Sequence, residues 1–283
     1  MEVSFVDIDD GGRTISLEYR WITPHPRPAV RGARVDAPLV VFLHEGLGSL
    51  AMWKDYPQGL CDAGGFRGLV FSRAGYGRST PRRPGERWPV DFMQHQGREV
   101  LPRLFARLRI GVDGVAPWLF GHSDGGSIAL IHAAAFPGAV AGIVAIAPHI
   151  MDEDVSIRSI EAARDAYRTT DLKLRLARYH DDPDSAFFGW NDVWLDPRFR
   201  GFSIVDTLGR LQCPILAAQG QDDEYGTLAQ ITGIRARAPQ TEVVVLAHCG
   251  HSPHRDQPEA LTRVVTDFIT RHSTGAHIEG GVS

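Results

Sequence analysis

Four short, nearly all-apolar runs, PLVVFLH, GLVFS, WLFGH and GIVAIA, follow one another between residues 38 and 147, with enough chain between successive runs to hold a helix. A strand with one wet face alternates polar and apolar residues, so unbroken apolar strands belong in a parallel sheet covered on both faces. Two further runs, PILAAQG and EVVVLA, resume the pattern near the C-terminus, separated by the helical TLAQITGIRARA and followed by the helical PEALTRVVTDFITRH. At the other end VSFVDI and ISLEYRWI flank the turn sequence DDGG and predict an antiparallel hairpin. The expected architecture is α/β: a mostly parallel eight-stranded sheet flanked by helices, within the reach of a single large domain of 283 residues.

The alternation of strand and helix breaks after Pro148. Residues 151–211 hold helix-like stretches (IRSIEAARDAYRTT, LKLRLARYH) and an aromatic segment, FFGWNDVWLDPRF, with no convincing buried strand. The reading is one core, 1–150 with 212–272, carrying a helical cap at 151–211 and ending in a flexible tail at 273–283. Within the core, DFMQHQGREVLPRLFARL has helical apolar spacing that Pro102 kinks or divides.

Charge and cysteine content exclude several classes of function. A net charge of −4 offers no broad basic surface for nucleic acid, and the cluster Arg78, Arg82, Arg83 reads as a solvated loop. Three irregularly spaced cysteines, Cys61, Cys213 and Cys249, do not make a disulfide framework, which fits a reducing compartment. The opening MEVSFVDIDD has neither a basic nor an apolar leader segment, and no run reaches the ~18 apolar residues of a membrane span. The expectation is a cytoplasmic monomer or homodimer that meets a small-molecule substrate, with no nucleic-acid or membrane partner.

The chemistry-bearing motif is Gly121-His122-Ser123-Asp124-Gly125. It lies between the strand-like WLFG and a helix of small residues, GGSIALIHAAA. A strand–turn–helix with glycines on both sides of a serine is the context of a nucleophile elbow: the sharp turn exposes the hydroxyl, and a side chain at either glycine would collide with neighbouring elements. It also sets a helix N-terminus beneath the hydroxyl, so the Asp124 N–H can face a developing oxyanion. A serine nucleophile needs a base and the base an orienting acid. Asp222, Asp223 and Glu224 follow PILAAQG, and His248, His251 and His254 follow EVVVLA, both groups just beyond the carboxyl ends of predicted strands, where a parallel sheet presents its crevice. With Cys249 the three histidines could also be imagined as a metal cluster, but their spacing is poor for zinc.

In these motifs the chain resembles the α/β-hydrolase superfamily, specifically its serine-nucleophile members with a helical cap. The resemblance implies the order serine, acid, histidine, and it selects Asp223 by the G-x-x-D spacing from Gly220 and His251 by the terminal G-H…P-E pattern; Asp152 is a lesser alternative acid. HEGLGS, His44 to Ser49, is similar to the family's oxyanion loop and places the second donor N–H on Gly46, although Glu45 stands where glycine is usual. FSRAGYGRS is similar to the family's D-x-x-G-x-G-x-S loop, with Ser72 replacing the aspartate.

The implied reaction is acyl transfer by Ser123 with His251 as base, Asp223 as orienting acid and the Gly46 and Asp124 amides as oxyanion hole, needing no metal and no organic cofactor. The expected activity is hydrolysis of a carboxylic ester or thioester of a small apolar or aromatic substrate. The alternatives are carbon–carbon bond hydrolysis of the meta-cleavage type, aminoacyl-ester hydrolysis, and a non-catalytic scaffold on the same fold. Trp190 and Trp194 are expected to line the substrate pocket. Glu45 reads either as a pocket residue or as a solvent-facing side chain, and Asp124 either as a receiver of a substrate ammonium or as a helix-start acid. His122 reads as a packed histidine beside the base.

Overall fold

The computed structural model describes residues 2–25 and 37–274, so most of the Pro- and Arg-rich loop after the opening hairpin and most of the expected tail lie outside the described residues. The core strands are β1 (Ser4–Asp10), β2 (Arg13–Ile22), β3 (Leu39–Leu43), β4 (Arg67–Phe71), β5 (Trp118–His122), β6 (Gly142–Ile146), β7 (Ile215–Gly220) and β8 (Thr241–Leu246). Helices α1 (Tyr56–Gly64), α2 (Phe92–His95), α3 (Leu101–Leu108) and α4 (Asp124–Ala135) connect the first six strands. Between β6 and β7 run α5 (Asp154–Thr169), α6 (Leu172–Leu176) and α7 (Pro183–Trp194), and α8 (Ala229–Arg237), α9 (Pro253–Asp256) and α10 (Pro258–Thr274) complete the chain. The helix of α10 thus continues through the first two positions of the expected tail.

The eight strands form one sheet in the order β1-β2-β4-β3-β5-β6-β7-β8. β1 and β2 pair antiparallel, as does β2 with β4, and every pair from β4 to β8 is parallel. The unbroken apolar runs have the predicted cause: β3, β5, β6 and β7 are buried at every residue, with apolar layers on both faces of the sheet. Strand order reverses at β3, since β4 pairs on one side of it and β5 on the other. The crevice at such a reversal is where open α/β sheets bind ligands, and it lies between the loops after β3 and β5.

The helical stretch around Pro102 divides before the proline rather than at it. Residues 96–100 form a single π turn between α2 and α3, with Pro102 in the first turn of α3. Proline has no N–H to give the carbonyl five residues earlier, Gly97 O, and the His132 ring of α4 supplies a donor instead, Nδ1 to O at 2.8 Å.

Arg78 and Arg83 are exposed, as a solvated loop requires, and Arg82 alone departs from that expectation. Arg82 Nε donates to Ser185 O at 2.9 Å, and its backbone N–H to Ser185 Oγ at 2.9 Å, which ties the loop after β4 to α7; Arg82 also bonds Glu86 O. Arg78 lies over the Phe5 ring, 5.4 Å from its centroid. The missing aspartate of FSRAGYGRS also finds a substitute, because Ser72 Oγ donates to the buried Glu18 of β2 at 2.5 Å. No helix among the described residues is long and apolar enough to cross a membrane.

Candidate active site

Ser123 follows β5 with φ 53° and ψ −120°, a left-handed conformation that a residue with a Cβ adopts only under constraint. The constraint is visible around it. Its N–H donates to Ile146 O of β6 at 2.8 Å, and its carbonyl accepts from Gly126 at 2.8 Å and Ser127 at 3.1 Å. A Cβ at Gly121 would stand 2.2 Å from Gly125 O, and one at Gly125 would stand 2.1 Å from Leu43 O, so neither glycine admits a methyl group. Because the first bonded amides of α4 are those of Gly126 and Ser127, the Asp124 N–H precedes the helical ladder and is available to an anion.

Across the loop after β3, Gly48 N donates to Glu45 O at 3.1 Å and closes a tight turn around Gly46 and Leu47. That turn does not use the Gly46 N–H. A Cβ on Gly46 would meet the Trp190 indole at 2.2 Å, so α7 is laid directly against this turn.

The loops after β7 and β8 bring the acid and the histidine together. His251 Nδ1 donates to Asp223 Oδ1 at 2.8 Å, and the same carboxylate accepts from Tyr225 N at 2.8 Å, Gly226 N at 3.3 Å and Gln219 Nε2 at 3.0 Å. Burial pushes the Asp223 carboxyl up, but the His251 hydrogen bond and charge and the Tyr225 amide outweigh it and hold the group below the usual carboxylate range. The three neighbouring acids separate cleanly. Glu224 accepts from the His251 backbone N–H at 3.1 Å, Asp222 is exposed, and Asp152 faces Gly201 and Arg200 in the helical insertion. His251 is also anchored from the elbow itself, because His122 Nε2 donates to His251 O at 2.7 Å, with ring centroids 5.1 Å apart. No hydrogen bond joins the Ser123 hydroxyl to the His251 ring among the described residues; such pairs are often long until substrate tightens them.

Glu45 is partly exposed, and its carboxylate folds back toward Gly48 and lies 3.4 Å from His122 Nδ1. Burial raises its pKa, yet His122, His254 and His44 more than offset this and hold it far below the carboxylate range. Trp194 is 1% exposed and is spent on packing and on Asp124, whose Oδ1 its Nε1 reaches at 3.2 Å. Asp124 is the acid in the first turn of α4, as the helix-start reading has it, and its carboxylate is buried 3.7 Å from Arg73, not exposed as an ammonium receptor would be. Phe187 stacks on Tyr167 with centroids 3.9 Å apart, and Phe199 on Phe202 at 4.8 Å, so both are internal to the insertion.

His149, which the sequence did not single out, belongs to the same neighbourhood. It follows β6 and lies 5.7 Å from the His251 ring and 5.0 Å from Trp194 between centroids, fully buried with Nδ1 unpartnered. Burial, with the nearby His251 charge, pulls its pKa down to about 3. The available signal was a polar residue one step past Pro148 at the carboxyl end of a buried strand. His254 packs against Trp53 and His122, and no group of three or more metal-type side chains suited to an ion exists among the described residues.

Comparison with known proteins gives consistent relatives. The model of the alpha/beta hydrolase family matches residues 40–264. The human protein "Serine hydrolase BPHL" is 23% identical over 218 residues, covering 72% of this chain and 69% of that one. A protein of Enterobacter sp. (strain 638), "2-succinyl-6-hydroxy-2,4-cyclohexadiene-1-carboxylate synthase", is 23% identical over 265 residues, 84% of this chain and 94% of its own. Among solved structures, a thermophilic esterase from Thermogutta terrifontis superposes with a TM-score of 0.69 at 20% identity, covering 95% of this chain and 99% of that one.

Proposed function

The chain belongs to the alpha/beta hydrolase family, as a hydrolase of that type, and from that premise we infer that it cleaves a carboxylic ester of a small apolar or aromatic substrate through an acyl-Ser123 intermediate. One observation carries the reading: the strained left-handed backbone of Ser123, kept in place by glycines that admit no methyl, beside a buried Asp223–His251 pair joined at 2.8 Å.

In this reading His251 Nε2 takes the Ser123 proton as the oxygen adds to the ester carbonyl. The negative charge that develops on the carbonyl oxygen is met by the Gly46 and Asp124 amides, and the proton passes to the departing alcohol. Water, deprotonated by the same histidine, then adds to the acyl-enzyme, and the acid leaves as Ser123 recovers its proton. Asp223 keeps the ring proton on Nδ1 and balances the imidazolium. Helices α5 to α7 act as the cap, with Trp190 roofing the oxyanion turn. Asp124 speaks against an aminoacyl substrate, because its carboxylate is buried, with Trp194 bonded to one oxygen and the Arg73 cation 3.7 Å from the other. The unpaired thiols of Cys61, Cys213 and Cys249 fit a cytoplasmic setting.

The test is a substrate panel of aryl esters of increasing acyl length, acyl-CoA thioesters, aminoacyl esters and ring-cleavage dienoates, run on wild type and Ser123→Ala. Turnover of short aryl esters that vanishes in the variant supports the reading. Turnover of dienoates alone replaces ester cleavage by carbon–carbon bond hydrolysis, and activity that survives in Ser123→Ala refutes both.

A further inference from the structure

The carbonyl of Glu45 accepts three hydrogen bonds. It receives Gly48 N at 3.1 Å, His44 Nδ1 at 2.7 Å and Arg73 Nη2 at 2.9 Å. The tautomer of His44 follows from its partners: Nε2 accepts the Arg73 backbone N–H at 3.0 Å, and an amide can only donate, so the ring is neutral with its proton on Nδ1. His180, from the insertion, repeats the device. Its Nδ1 accepts Gly77 N–H at 2.9 Å, which leaves Nε2 to donate to Leu47 O at 3.0 Å. Both carbonyls on either side of Gly46 are therefore pinned by histidines whose other nitrogens are bound to the loop after β4.

Arg73 is 2% exposed, lies over the Tyr76 ring at 4.8 Å and has its guanidinium 3.7 Å from Asp124 Oδ2. It thus touches the two peptide segments that supply the oxyanion donors. A trans peptide is planar, with its N–H directed opposite to its C=O. The Glu45 carbonyl is held by Gly48 N, the His44 ring and the Arg73 guanidinium together, which fixes the plane of the Glu45–Gly46 peptide and with it the direction of the Gly46 N–H, opposite to the bonded oxygen. A cation on the oxygen also polarises the peptide and strengthens its N–H as a donor.

Resting on the proposed acyl transfer, we propose that Arg73 is a positioning residue for the oxyanion site, aiming and polarising the Gly46 N–H through the Glu45 carbonyl while holding the Asp124 segment by its carboxylate. It touches no reacting atom. Its contribution falls on the tetrahedral state and not on substrate binding, because only that state places a full charge on the donors.

The experiment compares wild type, Arg73→Met, Arg73→Lys and Ser123→Ala with p-nitrophenyl butyrate as substrate and phenylboronic acid, which forms a tetrahedral serine adduct, as inhibitor. Arg73→Met is expected to lower kcat by roughly a hundredfold with KM within about twofold, and to weaken phenylboronic acid in step with kcat. Arg73→Lys, keeping the charge but not the fork, recovers part of both. A folded Arg73→Met with kcat within threefold of wild type, a loss confined to KM, or unchanged boronate affinity overturns the proposal. If Arg73→Met does not fold, Arg73→Lys decides: a tenfold loss of kcat matched by the boronate supports it, and wild-type values of both refute it. Activity remaining in Ser123→Ala would instead sink the acyl-enzyme reading itself.

Discussion

The elbow after β5 and the helix α7 that lies against it are joined by a hydrogen bond from Trp194 Nε1 to Asp124 Oδ1, yet they are built on opposite principles. The elbow is backbone against backbone: at Gly121 and Gly125 the nearest obstacles are main-chain atoms that cannot turn aside. The face of α7 is side chain against side chain, with Phe187 on Tyr167 and Trp194 on Phe199, where an altered ring leaves a gap that neighbours can partly fill. Geometry that must be exact for the chemistry is placed in the part of the molecule with no rotamers. The packing of the insertion is placed where substitution is tolerated.

The largest effect expected lies at the elbow and spares the fold. Ser123→Ala should reduce kcat/KM on p-nitrophenyl esters by 10⁴-fold or more, on the order of that seen when a triad member is removed, with Tm shifted by a few degrees at most. Next comes Gly121→Ala, which should cost ~4 kcal/mol or abolish folding, as followed by urea unfolding, because the new methyl is driven into the Gly125 peptide. A folded Gly121→Ala of near-normal stability would break the comparison.

The seam between the two regions is tested by acid. His149 lies between Trp194 and His251, and burial holds both it and His254 at about 3 against an ordinary 6.5. Between those two values the unfolded chain binds protons that the folded one refuses, so folding stability is complete above about pH 6.5 and falls with pH down to about 3. Each histidine contributes a slope of about 1.4 kcal/mol per pH unit. His149→Gln should remove its share of that slope in denaturant titrations across the range, and an unchanged slope would show that the ring is not buried as described. The smallest effect belongs to α7: Trp194→Phe leaves the Asp124 oxygen without its donor and should cost about 1–2 kcal/mol, far less than the elbow methyl.

The same division governs what could be read from the chain. Strand runs, elbow glycines and the order of serine, acid and histidine are local patterns, and the structure has the parallel sheet, the strained Ser123 and the bonded Asp223–His251 pair at those positions. The choice among Asp222, Asp223 and Glu224 turned on spacing and is explained by partners, since Asp223 takes the ring and Glu224 the amide of one histidine. The partners that place Glu45, Trp194 and Arg82, namely His122, Asp124 and Ser185, lie between 70 and 103 residues away, and no local pattern encodes them. His180 and Arg73 were invisible for the same reason, acting on loops set beside them only by the order of the strands.

Acyl transfer by Ser123 requires a covalent bond at its hydroxyl, and intact-protein and peptide mass spectrometry after treatment with a fluorophosphonate measures that reactivity directly. A single adduct on the peptide that contains Ser123, formed by wild type and absent from Ser123→Ala, is the predicted result. Labelling at any other residue, or equal labelling of the variant, would contradict it.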